Sequence, residues 1–127
     1  LERAGLYDAA AAAIADNITR AQGDGCHSHG IFRLPGYCAS LRSGKVNGTI
    51  QPEVKSVAPG CVLADARGGF STPACLAGHV QLVEKAKANG VAVLLISRAH
   101  HFAALWPDVE PLAAEHGLVA MAFLNSK

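Results

Sequence analysis

Apolar positions recur along this chain with two different spacings, and the switches between them mark out its elements. Leu6, Ala10, Ile14 and Ile18 fall four apart in an alanine-rich stretch. That spacing predicts an amphipathic helix, already running at the first residue and ending near Gly23. After an irregular turn, Leu34, Cys38 and Leu41 form the buried stripe of a short second helix, entered at Leu34 or Pro35 and stopped by Gly44. The stretch "GKVNGTIQPEVKSVAPG" is punctuated by Asn47-Gly48, Pro52 and Pro59-Gly60, which makes it a connector with room for one edge strand. Residues 62–65 predict a short strand closed by the turn Arg67-Gly68-Gly69.

The plainest helix is "STPACLAGHVQLVEKAKANG", with Ser71 or Thr72 as its cap and Pro73 in its first turn. Leu76, Val80 and Val83 are expected to face the core, and Gly90 to end the helix. "VAVLLIS", residues 91–97, is apolar without interruption, which predicts a strand buried on both faces. A helix over residues 108–116 follows, stopped by Gly117, and "LVAMAFL" at 118–124 predicts another buried strand. Strand, helix and strand at this spacing point to an α/β fold.

Composition narrows the class. The 127 residues are 50% hydrophobic and 17% charged, which suits a single globular core. The formal charge is +1, with acids and bases intermixed, so neither a nucleic-acid footprint nor a basic membrane patch is present. The longest apolar run, 91–96, is far too short to cross a bilayer, and no signal-peptide pattern precedes it. A helical pattern under way at Leu1 and an apolar stretch running almost to the last residue suggest a piece of a longer protein. Cys26, Cys38, Cys61 and Cys75 are scattered, with no C-x-x-C pair, and read as reduced, half-buried thiols.

The densest chemistry lies in "DGCHSHGIFRLPGY", residues 24–37. Cys26, His27 and His29 are close, but C-H-x-H is not a structural zinc spacing and no second half-site follows, so no metal centre is expected. Ser28-His29 precedes Gly30, which permits close backbone approach, and Arg33 stands four residues after His29. An imidazole that carries a proton beside a guanidinium that forks onto a carboxylate makes an acid–anion site. The alternative is a turn histidine and a solvent-facing arginine. His100-His101 follows an apolar strand, where loops of α/β proteins gather ligands, and Phe102, Ala103 and Ala104 add a small apolar surface. Here the alternative is a loop pair with one ring packed and one wet. No G-x-G-x-x-G, Walker sequence or G-x-S-x-G elbow occurs.

Taken together, "DGCHSHGIFRLPGYCASLRSGKVNG", "DARGGFSTPACLAGHVQLVEKAKANGVAVLLIS" and "HHFAALWPDVEPLAAEHGLVAMAFLNS" resemble the malate/L-lactate dehydrogenase-like family of nicotinamide-dependent oxidoreductases. The S-H-G-x-x-R-x-P-x-Y pattern is its most specific part. Within the family, "HHFAALWPDVE" is most similar to the Δ1-piperideine-2-carboxylate/Δ1-pyrroline-2-carboxylate reductases; the malate-type branch typically has glycine where Ala103 stands and lacks the tryptophan. The resemblance implies a non-Rossmann α/β fold, a mixed sheet with flanking helices. Residues 1–50 would be a helical segment carrying the S-H-G-x-x-R site, and 51–127 the start of a cofactor-binding domain. It further implies NADPH or NADH as cofactor, a small carboxylate substrate and a cytoplasmic homodimer. The substrate would be a cyclic imino acid, reduced to L-pipecolate or L-proline, or, on the malate-type alternative, a 2-oxo acid. A truncated, non-catalytic remnant is the other alternative.

By the same resemblance Ser28 and His29 are the catalytic pair, with His29 the proton donor, and Arg33 binds the substrate carboxylate. His101, Phe102, Ala103, Ala104 and Leu105 fall on the cofactor segment. The family's relay aspartate lies beyond residue 127. Asp65 reads as a turn residue and Asp108 as a helix-start residue, and neither takes its place.

Overall fold

The computed structural model describes residues 1–125. A 3-10 turn at Glu2–Ala4 comes first, and Gly5, with φ of 96°, breaks it before the helix α1, Asp8–Gly23. The helix expected to run from residue 1 therefore starts later, because a left-handed residue cannot continue it. Leu6 still packs inward, beside Ala10, Ile14 and Ile18. Asp8 in the first turn and Arg20 in the last complement the helix dipole. Each large aliphatic side chain buried here contributes about 1.5–3 kcal/mol.

Two 3-10 turns, His27–His29 and Ile31–Arg33, lead into α2, Leu34–Arg42, with Pro35 in its first turn. Tyr37 and Leu41 are its fully buried residues; Leu34 and Cys38 are only partly covered. Leu41, Val46 and Tyr37 join the α1 residues and Phe70 in one apolar cluster. The connector crosses Gly5 closely: a Cβ on Gly48 would stand 2.3 Å from the Gly5 carbonyl oxygen.

The connector supplies the expected edge strand, β1 (Glu53–Ala58), which turns at Pro59-Gly60 into β2 (Cys61–Asp65). These pair antiparallel, with Val54 opposite Ala64. From β2 the chain crosses through α3 (Ser71–Asn89) to β3 (Val93–Ser97), which lies parallel to β2. A strand–helix–strand crossover is what joins parallel neighbours. The result is a three-stranded mixed sheet, order β1-β2-β3, flanked by helices. Asp65 serves its turn as expected: Oδ1 accepts the Arg67 N–H at 2.9 Å, and the carboxylate also takes the Arg98 guanidinium. The last helix, α4, runs from Trp106 to Ala114, slightly earlier than its spacing suggested, with Pro107 in its first turn.

Four further expectations fail. Leu76 and Val80 do not face the core; they are 47% and 67% exposed, while Ala74, Cys75, Gly78 and Val83 point inward. Small residues let α3 approach the sheet: a Cβ on Gly78 would fall 2.5 Å from Leu94 Cδ1. Strand β3 is not buried on both faces, since Leu94 and Ile96 pack beneath α3 while Val93 and Leu95 stay largely exposed. Neither Ser71 nor Thr72 caps α3; its N-cap is Phe70, without a side-chain bond. Residues 118–124 form no strand and are mostly exposed, because a ladder needs a partner edge and none of the described strands pairs with them. All four cysteines are free, Cys75 buried and the others partly covered.

Candidate active site

The turn carrying Ser28 and His29 is anchored from α1 by Gln22. Its Oε1 accepts the Ile31 N–H at 3.2 Å, and its Nε2 sits 2.7 Å from His27 Nδ1. Gly30 permits this grip: a Cβ there would lie 2.3 Å from Gln22 Oε1. So the close approach foreseen at Gly30 is made by a side chain of the preceding helix.

Ser28 links the two other candidate residues. Its hydroxyl lies 3.0 Å from His29 Nδ1, and its carbonyl accepts a 2.6 Å hydrogen bond from Arg33 Nε. Using Nε this way leaves the terminal nitrogens of Arg33 for a ligand, and among the described residues no carboxylate pairs with them. A hydroxyl can accept from a protonated Nδ1 or donate to a bare one, so Ser28 can orient the ring and leave Nε2 to exchange a proton. Cys26 Sγ also approaches Nδ1, at 3.5 Å. No group of three or more metal-ligating side chains occurs among the described residues. His27 is turned to Gln22 instead.

The histidine doublet has anchors of its own. His100 donates its N–H to the Gly69 carbonyl at 2.8 Å, pairing the loop with the entry to α3. Ser71, free of capping duty, donates its hydroxyl to the His101 carbonyl at 2.6 Å. His101 and Ala103 have φ of 55° and 44°, in the left-handed region that side chains avoid at a cost of about 1–3 kcal/mol each. Phe102, Ala103 and Leu105 are half-buried, and Ala104 is fully buried. Asn17 on α1 holds the far end of this loop through both polar groups of Ala104.

Tyr37, on α2, packs against the histidine loop. Its ring meets His101 edge-on, with centroids 5.2 Å apart, and packs on Phe70 at 5.1 Å. Burial pushes its phenol up to about 12, against a smaller opposing pull from Arg33. His101 is pushed down to about 4 by burial, then by the positive fields of Arg33, His100 and His29. Tyr37 Oη and His101 Nε2 are both buried, with no hydrogen-bond partner among the described residues.

A consequence is measurable. The His101 ring should stay neutral well below the usual histidine value of 6.5. Its Cε1–H resonance should be flat from pH 8 to about 5.5, since a site near 4 binds few protons there. A midpoint near 6.5 would show the ring solvated and the loop detached. Because the folded value lies below the unfolded one, this group's stabilisation is complete above 6.5 and is lost as pH falls towards 4. Asp108, raised by burial to about 7, contributes with the opposite sign, so a bulk melting curve would mix the two and the site-resolved signal is the proper test.

The placement of each expected residue is thus clear. Ser28 joins His29 and Arg33 through its hydroxyl and its carbonyl, and His101 packs edge-on against Tyr37. Gln22, Asn17, Tyr37 and Ser71 are the supports that periodicity did not reveal, because each acts through a contact distant in the chain or packed inside it. The expected doublet splits as one ring on Phe70, centroids 5.7 Å apart, and one on Tyr37.

The chain as a whole is similar to known proteins. The sequence model of the malate/L-lactate dehydrogenase family matches residues 1–127. The chain is 54% identical over 125 residues to a Δ1-pyrroline-2-carboxylate/Δ1-piperideine-2-carboxylate reductase of Pseudomonas putida, covering 98% of this chain and 36% of that protein. A reductase of the same name from Pseudomonas syringae pv. tomato is 54% identical over 113 residues, covering 89% and 33%. The crystal structure of the Δ1-piperideine-2-carboxylate reductase of Pseudomonas syringae pv. tomato matches the fold with a TM-score of 0.85 at 50% identity, over 88% of this chain and 34% of that one. Malate dehydrogenase from Pyrococcus horikoshii OT3 matches with a TM-score of 0.82 at 26% identity, over 91% and 33%. The chain therefore spans about a third of the length of the curated relatives it matches.

Proposed function

The chain belongs to the malate/L-lactate dehydrogenase family, and from that premise we propose that the whole protein is a nicotinamide-dependent reductase of cyclic imino acids. Its substrates on this reading are Δ1-piperideine-2-carboxylate and Δ1-pyrroline-2-carboxylate, reduced to L-pipecolate and L-proline. The observation that supports this reading is the Ser28 bridge: its hydroxyl meets His29 Nδ1 and its carbonyl accepts from Arg33 Nε, which leaves the terminal guanidinium nitrogens for a carboxylate. An imine substrate is favoured over a 2-oxo acid because the reductase relatives are 54% identical, against 26% for the malate dehydrogenase.

The loop fits part of a nicotinamide nucleotide. His101, Phe102, Ala103, Ala104 and Leu105 offer a small apolar surface with one buried, unpaired ring nitrogen, His101 Nε2. The cofactor, when bound, supplies the hydride. Everything else falls to side chains of the protein. Arg33 holds the substrate carboxylate through its terminal nitrogens, which fixes the neighbouring C=N carbon in position. His29, held at Nδ1 by Ser28, delivers the Nε2 proton to the imine nitrogen as negative charge would build there. Neutral His101 adds no competing positive charge at neutral pH. The choice between NADPH and NADH belongs to residues that would meet a 2′-phosphate. No helix among the described residues is long and apolar enough to cross a membrane, and a cytoplasmic homodimer completes the reading.

The test is oxidation of NADPH and NADH by the full-length protein with Δ1-piperideine-2-carboxylate, pyruvate and oxaloacetate side by side. Imine turnover at least tenfold above either oxo acid is expected, on a roughly 1.4 kcal/mol difference per decade. Preference for an oxo acid would make it a 2-hydroxyacid dehydrogenase, and no turnover with any of them would remove the reductase reading.

A further inference from the structure

Asn17 is only 2% exposed, on the face of α1 that packs towards the loop after β3. Its Nδ2 donates to the Ala104 carbonyl at 3.0 Å, and its Oδ1 accepts the Ala104 N–H at 3.3 Å. A side-chain amide thus matches both polar groups of one buried residue, as a neighbouring strand would. Ala104 itself is 2% exposed, so without Asn17 both groups would be buried and unpaired. The near end of the loop is fixed separately, by Ser71 at the His101 carbonyl and by Gly69 at the His100 N–H. Between these anchors lie His101 and Ala103, whose left-handed backbones need external support because neither is glycine. One turn further along α1, Gln22 holds the segment bearing Ser28 and His29.

We infer that Asn17 is a positioning residue for the nicotinamide-binding loop: by clamping Ala104 it holds residues 101–105 at a fixed distance from the Ser28–His29 turn, which hangs from the same helix. The role rests on the proposed reductase reading for the identity of the ligand. The clamp itself rests only on the two hydrogen bonds and the burial. Asn17 touches neither reacting atom, so its effect should appear in cofactor affinity and not in the imine subsite.

The test uses the full-length protein with NADPH or NADH, whichever the wild type takes. Asn17→Leu keeps the branched side-chain shape, with bulkier methyl ends, and removes both bonds. It should raise the cofactor Kd, read by nicotinamide fluorescence, and the cofactor KM by roughly tenfold each. The imine KM should stay within about twofold, and amide hydrogen exchange should quicken at residues 101–105 while α3 keeps its protection. Asn17→Ser, polar but too short to span to Ala104, should give the same pattern and serves if the leucine variant fails to fold. A lower kcat with unchanged cofactor KM and Kd is the mark of fewer folded molecules, and would overturn the inference. If the wild type binds neither nucleotide, the reductase reading fails and the cofactor role falls with it. If the wild type binds and both variants bind equally well, only the Asn17 assignment fails.

Discussion

His29→Ala should lower turnover of the imine by roughly 10²–10⁴-fold, the usual contribution of a positioned general acid. The expectation follows from the geometry at Nδ1. With Ser28 Oγ 3.0 Å away, Nδ1 has a fixed partner, and the proton that leaves must come from Nε2. Alanine removes that proton source and leaves the imine nitrogen to water. Cofactor affinity should change by less than about threefold, since among the described residues the ring's hydrogen bonds go to Cys26 and Ser28 and none to the His101 loop. Stopped-flow measurement of the hydride step, with Kd from fluorescence, separates the two effects. Wild-type turnover in the variant would remove His29 from the chemistry. Equal loss of turnover and of cofactor binding would mean that the alanine had disturbed the fold.

The site was readable in the sequence wherever its parts are local. Ser28, His29 and Arg33 lie within six residues, so their juxtaposition is set by two short turns and needed no knowledge of tertiary packing. Gly30 could likewise be read as a point of close approach, although not what approaches it. The supporting residues were hidden for the opposite reason. Asn17 sits 87 residues from Ala104, inside an alanine-rich helix where a polar residue reads as solvent-facing. Ser71 looked like a helix cap, yet its hydroxyl is drawn to the strained loop, a demand visible only once His101 has a left-handed backbone.

The fold divides in the same way. Periodicity located α1, and the Pro52 and Pro59-Gly60 punctuation bounded the edge strand, because both depend on neighbours in the chain. It misjudged α3 by following large aliphatic side chains. The face that packs is the one lined by Ala74 and Gly78, where short side chains permit close helix–sheet contact. Leu76 and Val80 are left outside, together with Val93, Leu95 and the run from Leu118. An uninterrupted apolar run signals burial on both faces of a sheet only when both faces are covered, and residues 1–125 cover one.

Arg33→Lys should raise the KM for Δ1-piperideine-2-carboxylate by roughly 10–100-fold, while kcat at saturation changes far less. Two separate losses combine. A lysine ammonium is a single point charge, so it cannot fork across both carboxylate oxygens as the terminal guanidinium nitrogens do. It also lacks the Nε–H that donates to the Ser28 carbonyl at 2.6 Å, which ties Arg33 to the residue orienting His29. Each lost charge-assisted hydrogen bond is worth about 1.5–3 kcal/mol, and a retained positive charge returns part of it. Arg33→Ala removes the charge as well and should cost more. The diagnostic is the ratio of kcat/KM for the carboxylated imine to that for Δ1-piperideine, which has no carboxylate. Wild-type protein should strongly prefer the former; in Arg33→Ala the preference should collapse, because activity on the carboxylate-free ring never used the arginine fork. A preference that survives the alanine substitution would assign carboxylate recognition to another residue of the protein. A rise in KM equal for both rings would show that Arg33 acts through Ser28 alone.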